Sequence, residues 1–108
     1  MMNYDQNLVL CGRMARQTVR LTFGMWEYRK EEEVVVEGNC LGLEVIDSAV
    51  EAVYERLPED RYGVKTLDMK NSEGALLQCC DEDGREEYWL KDMLIKAEIV
   101  KIAEDENC

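Results

Sequence analysis

At 108 residues, 46% hydrophobic and 34% charged with a single proline, the chain has the length of one domain, residues 1–108, and the composition of a folded protein rather than a disordered one. A formal net charge of −11 opposes contact with nucleic acid over most of the surface, and no run approaches the ~18 apolar residues of a membrane helix. The first residues, MMNYDQNLVLCGRMARQ, lack a basic segment leading into an apolar one, so no secretory signal is expected and the expected location is cytoplasmic.

The charge is unevenly spread. Residues 1–30 carry five cations (Arg13, Arg16, Arg20, Arg29, Lys30) against two anions (Asp5, Glu27), a net +3; residues 31–108 hold the other eight cations against twenty-two anions, a net −14. Such a field keeps a protein soluble and attracts basic partners.

In chain order, Leu8-Val9-Leu10-Cys11, closed by Gly12, reads as a first strand. Over Thr18–Tyr28, Val19, Leu21 and Phe23 alternate with Arg20 and Thr22, the period of a half-buried strand, and Gly24 within it implies a bulge. The β-branched run Val34-Val35-Val36 predicts a third strand, joined to the second by a hairpin turning near Arg29-Lys30-Glu31. The period then changes: Val50, Val53, Tyr54 and Leu57 mark one helix face, Ser48-Ala49-Val50-Glu51 has the form of a capping box, Asp47 can also cap, and Pro58 stops the helix, predicting a helix over about 48–57 with a start one turn earlier left open.

Strands over 64–69 and 75–80 follow, joined through the turn-forming Asn71-Ser72-Glu73-Gly74. After Asp83-Gly84, Tyr88-Trp89-Leu90 is expected to return beside residues 77–80, and the tail to 103 reads as a short helix and then a final strand. The expected architecture is α+β: an antiparallel sheet of about five to six strands packed by one main helix, in the order βββαββ followed by a short helix and strand.

The five cysteines (Cys11, Cys40, Cys79, Cys80, Cys108) are odd in number, have no CxxC spacing and no histidine to complete a zinc site. Cys11, Cys40 and one of Cys79/Cys80 read as reduced core side chains, and Cys108 as exposed. The stretch QCCDEDGREE fails as a calcium loop, since Gly84 follows Asp81 by three residues and position 90 is leucine; it reads as a turn. No phosphate-binding glycine motif is present, and without histidine the Ser-His and Cys-His pairs are excluded, so neither catalysis nor a cofactor or metal is expected.

Two surfaces remain as candidates. Asp47, Glu51 and Glu55 follow one another at i+4 with no lysine between, a row of like charge that costs a few tenths of a kcal/mol per pair and suits docking on a basic protein surface. The alternative is an anionic ligand or nucleotide held by Arg16, Arg20, Trp26, Tyr28 and Arg29 through charge and stacking. Edge strands leave a homodimer open.

The runs LTFGMWEY, VVVEGNC and YWLKDMLIKAEIV resemble those of small bacterial proteins grouped only as a domain of unknown function. The resemblance covers most of the chain and implies no activity and no site residue. In size and charge the chain is also similar to accessory proteins of phages and mobile elements, some of which inhibit defence enzymes. The function expected from the residues is a non-enzymatic, acidic protein-binding module.

Overall fold

The computed structural model describes residues 15–38 and 42–102. Two long strands, β1 (Ala15–Met25) and β2 (Tyr28–Gly38), precede helix α1 (Leu43–Arg56); β3 (Thr66–Lys70), β4 (Leu76–Cys80), helix α2 (Glu87–Met93) and β5 (Leu94–Ile102) follow. The strands form one antiparallel sheet in the order β4-β3-β2-β1-β5, an α+β architecture with the main helix against the sheet. The strand expected at 8–11 lies outside the described residues, as do Cys11, Cys40 and Cys108; the remaining elements come in the expected order.

β1 is the central strand of its neighbourhood, paired to β2 along its whole length and to β5 from Gln17 to Phe23. Its alternation is strict: Val19, Leu21 and Phe23 are fully buried beneath the helices, while Arg16, Thr18, Arg20 and Thr22 occupy the other sheet face. Val34 and Val36 of β2, Leu67 and Met69 of β3, and Val45, Ala49, Val50 and Val53 of α1 complete the core. Gln17, buried at the end of this row, donates its amide to the Gly38 carbonyl at 3.0 Å.

The hairpin turns at Trp26-Glu27, between the paired Met25 and Tyr28, and not at residues 29–31, which lie within β2. Trp26 has φ 56° and Glu27 is not among the positive-φ residues, which is the pattern of a type II′ turn; its first central position favours glycine, so a tryptophan there gave no turn signal. Gly24 keeps its register with Arg29, and the bulge belongs to β5, where Ile95 is the extra residue between the pairs Thr22↔Lys96 and Phe23↔Leu94. A Cβ on Gly24 would stand 2.2 Å from Ile95 Cδ1, so the glycine leaves room for the bulged side chain to cross β1.

Helix α1 starts at Leu43, about a turn ahead of residue 48 and on the early side of the expected range. Gly42 is its N-cap, the amides of Val45 and Ile46 donate to the Gly42 carbonyl, and Ser48 and Glu51 stand exposed in mid-helix, where they cap nothing. What draws the first turn into the helix is burial: Val45 is 2% exposed and its Cγ2 lies 2.4 Å from where a Gly38 Cβ would be. The helix ends at Arg56, ahead of Pro58.

Tyr88-Trp89-Leu90 does not return as a strand. These residues sit in α2, because Leu90 and Met93, three apart, are both buried and Trp89 packs edge-on against Tyr54 with ring centroids 6.4 Å apart. β5 consequently pairs with β1, and β4 is an edge strand among the described residues.

Gly38→Ala is expected to cost about 2–3 kcal/mol in urea unfolding, since φ is 155° and the clash falls on a buried valine beside the backbone. Gly24→Ala should cost under ~1 kcal/mol, because Ile95 is half exposed and its terminal methyl can swing away. Trp26→Gly should raise stability by about 1 kcal/mol by relieving the positive φ. An unchanged or lower unfolding midpoint for that variant would show that the indole makes compensating contacts.

Candidate functional site

Asp47, Glu51 and Glu55 lie along the exposed face of α1, as the i+4 spacing implies. Their surroundings differ. Asp47 is not free of cations: Lys91 of α2 places Nζ 2.8 Å from its carboxylate, 3.8 Å from Glu87 and 5.1 Å above the Tyr88 ring. The hydrogen bond to Asp47 raises the Lys91 pKa. The row that carries no lysine in sequence therefore receives one from another helix at its first member.

Glu51 and Glu55 receive none within 4 Å among the described residues. With Tyr54, Glu86 and Glu87 they line a concavity of about 180 Å³ between the two helices. Lys65 comes near but serves the helix end: its ammonium donates to the carbonyls of Glu55 (3.0 Å) and Leu57 (3.2 Å), pairs with Glu59 at 3.6 Å and lies 5.6 Å above the Tyr54 ring.

Asp81 ties the chain that carries Glu86 to Tyr54 of α1. This carboxylate is 5% exposed and accepts three hydrogen bonds, from the Tyr54 hydroxyl at 2.8 Å and from the Arg85 and Glu86 amides at 2.9 Å each. Burial pushes its pKa up, but these three donors outweigh that and hold it below the ordinary aspartate value. Burial and the bond to Asp81 push Tyr54 up to about 12. The chain leaves this clasp through Glu86 at φ 61°, ψ −128°, and enters α2 with Glu86 and Glu87 facing the α1 acids.

QCCDEDGREE is accordingly a turn from β4 into α2, closed by the Gly84 amide on the Asp81 carbonyl at 3.2 Å. Cys79 packs against the core, and burial raises its thiol pKa; Cys80 stands opposite Thr66 in the ladder. Among the described residues no group of three cysteines and acids is arranged to hold a metal ion, and no helix is long and apolar enough to cross a membrane.

The five residues of the alternative site do not converge. Arg16 pairs with Glu37 at 3.3 Å at one end of β1, and Arg20 pairs with Glu33 at 3.0 Å and Glu98 at 3.5 Å in its middle, Glu33 holding its guanidinium more firmly protonated. Arg29 stands opposite Gly24, eight residues or about 26 Å along the strand from Arg16. Trp26 is not a core residue: it is 77% exposed at the hairpin tip, whereas Tyr28 is half-buried against the core. Glu86 and Glu87, absent from the sequence reading, are more than thirty residues beyond Glu51, and no local pattern links them to it.

Tyr54→Phe removes one of the three Asp81 donors and is expected to cost about 1.5 kcal/mol at neutral pH. A lowered carboxylate pKa contributes stability above its unfolded value near ~3.9 and loses it as pH falls through the folded value. A raised tyrosine contributes below its unfolded value near ~10 and loses it as pH rises through about 12. The stability gap between wild type and Tyr54→Phe should thus be flat from about pH 5 to pH 9 and narrow on either side, as urea unfolding across pH would report.

No curated protein and no solved structure matches the chain. The model of a family of unknown function, DUF5406, matches residues 3–103, nearly the whole sequence. The chain therefore belongs to the DUF5406 family.

Proposed function

We propose that this protein is a non-enzymatic binding module that docks the acidic face between α1 and α2 on a basic protein surface, in the manner of an inhibitor or accessory protein of phage or mobile-element type acting in the cytoplasm. The observation that carries the reading is the meeting of Glu51, Glu55 and Glu86, from two separate elements, around one concavity with no cation among the described residues within 4 Å of any of them.

Like charges at i+4 destabilise a helix by a few tenths of a kcal/mol, and Glu86 adds to the repulsion from a strained backbone position. A cationic partner offsets that cost on docking, and the field of a net −11 chain speeds the encounter. Asp47 contributes charge to the rim, but its salt bridge to Lys91 makes it a lesser contact than sequence spacing implied.

The test is affinity capture with wild type beside a Glu51→Gln, Glu55→Gln, Glu86→Gln variant. Wild type is expected to retain a basic protein that the variant does not, with retention falling steeply as ionic strength rises. The variant should be at least as stable as wild type, by about 0.5 kcal/mol, because only repulsion has been removed. Equal retention by both proteins would defeat the reading.

A further inference from the structure

β2 and β3 are neighbours in the sheet, yet they pair at one position, Arg29↔Lys70. Directly opposite residues of an antiparallel pair share a sheet face. Continuing this register would set Glu31 against Asp68, so the first two outward-facing rows would oppose cation to cation and then anion to anion. Like charges opposite one another destabilise a ladder, and this one stops after its first pair.

The strands splay into a groove of about 650 Å³ lined by Arg29, Lys30, Glu31, Asp68, Lys70 and Leu76. Arg29 gives Nη1 to the Trp26 and Tyr28 carbonyls at 2.7 Å each, which holds its guanidinium beside the hairpin turn at one end of the groove. Among the described residues neither Arg29 nor Lys70 has a carboxylate within 4 Å and Glu31 has no cation within 4 Å, and Asp68 accepts from the Gln78 amide at 3.1 Å. Leu76, beside Lys70 in the ladder and 55% exposed, adds an apolar wall. The size is that of a small-ligand site.

Two positive groups in one row and two negative groups in the next call for a ligand with one charge of each sign. Rows two residues apart are separated by about 6.6 Å, and a fully extended dipeptide spans about 7 Å between its ends. We propose that this groove binds a zwitterion of dipeptide length, its carboxylate between Arg29 and Lys70 and its ammonium between Glu31 and Asp68. An inorganic anion satisfies one row and is repelled by the other, and a free amino acid, at about half the length, cannot reach both. The site is separate from the acidic concavity and stands or falls independently of it.

The experiment is a titration of the ¹⁵N-labelled full chain with glycylglycine, followed by amide chemical shifts, beside N-acetylglycylglycine and glycylglycinamide, which each lack one charge. Saturable shifts centred on residues 29–31 and 68–70 are expected with glycylglycine. Both blocked peptides should bind at least about tenfold more weakly, as should glycylglycine to Lys70→Gln and to Asp68→Asn. Both substitutions are at exposed positions, and retained spectral dispersion certifies their fold. Binding by the Glu51→Gln, Glu55→Gln, Glu86→Gln variant should match wild type. Absence of saturable shifts, an equal response to a blocked peptide, or shifts centred elsewhere overturns the assignment.

Discussion

The rest of the molecule is registered on the alternation of β1. A strand paired on both flanks has no freedom to slip, since moving it by one residue would carry Val19, Leu21 and Phe23 to the solvent face and Arg16 and Arg20 into the core. With that row fixed, α1 crosses where β2 ends, α2 fills the space left beside it with Leu90 and Met93, and β5 returns along the free flank of β1. The buried apolar row and its two ladders thus decide where both helices stand, and through them where the acidic side chains meet.

What could be read from the sequence was what repeats locally. The strand period of residues 18–23, the β-branched run of 34–36 and the helical spacing of Val50, Val53 and Tyr54 each point to one element type, and the sheet carries them in the expected order. Signals failed where a tertiary contact overrode a local rule. Burial of Val45 extended α1 past its apparent capping box, and Trp26 occupies a turn position that normally announces itself with glycine. A seven-residue helix with an uncapped start left only the Leu90/Met93 spacing as a trace. The acid row on α1 was legible from its spacing, whereas Glu86 and the intervention of Lys91 depend on how Asp81 folds the chain back, which no periodicity encodes.

The two faces of the sheet handle charge differently. On the open face the ions are interleaved across strands, Arg16 with Glu37, Arg20 with Glu33 and Glu98, Lys96 with Glu98, so that positive and negative groups answer one another in the central ladders. Exposed pairs of this kind add little stability, but they leave the central open face with little net field. On the helix side Glu51, Glu55 and Glu86 are left unanswered. Charge on the central ladders is thus largely compensated, whereas the concavity between α1 and α2 gathers acids of one sign.

The bulges of β5 bear on how this protein behaves when crowded. Among the described residues β5 is an edge strand of nine residues that exposes Ile95 and Val100, the kind of segment that recruits strands from other molecules into fibrils. Both exposed residues are the extra ones at its two register shifts, so the ladder a second chain would extend is broken twice, and Lys96 and Lys101 put charge on the remaining stretch. An irregularity that serves intramolecular packing over Gly24 thereby also acts as a safeguard against aggregation.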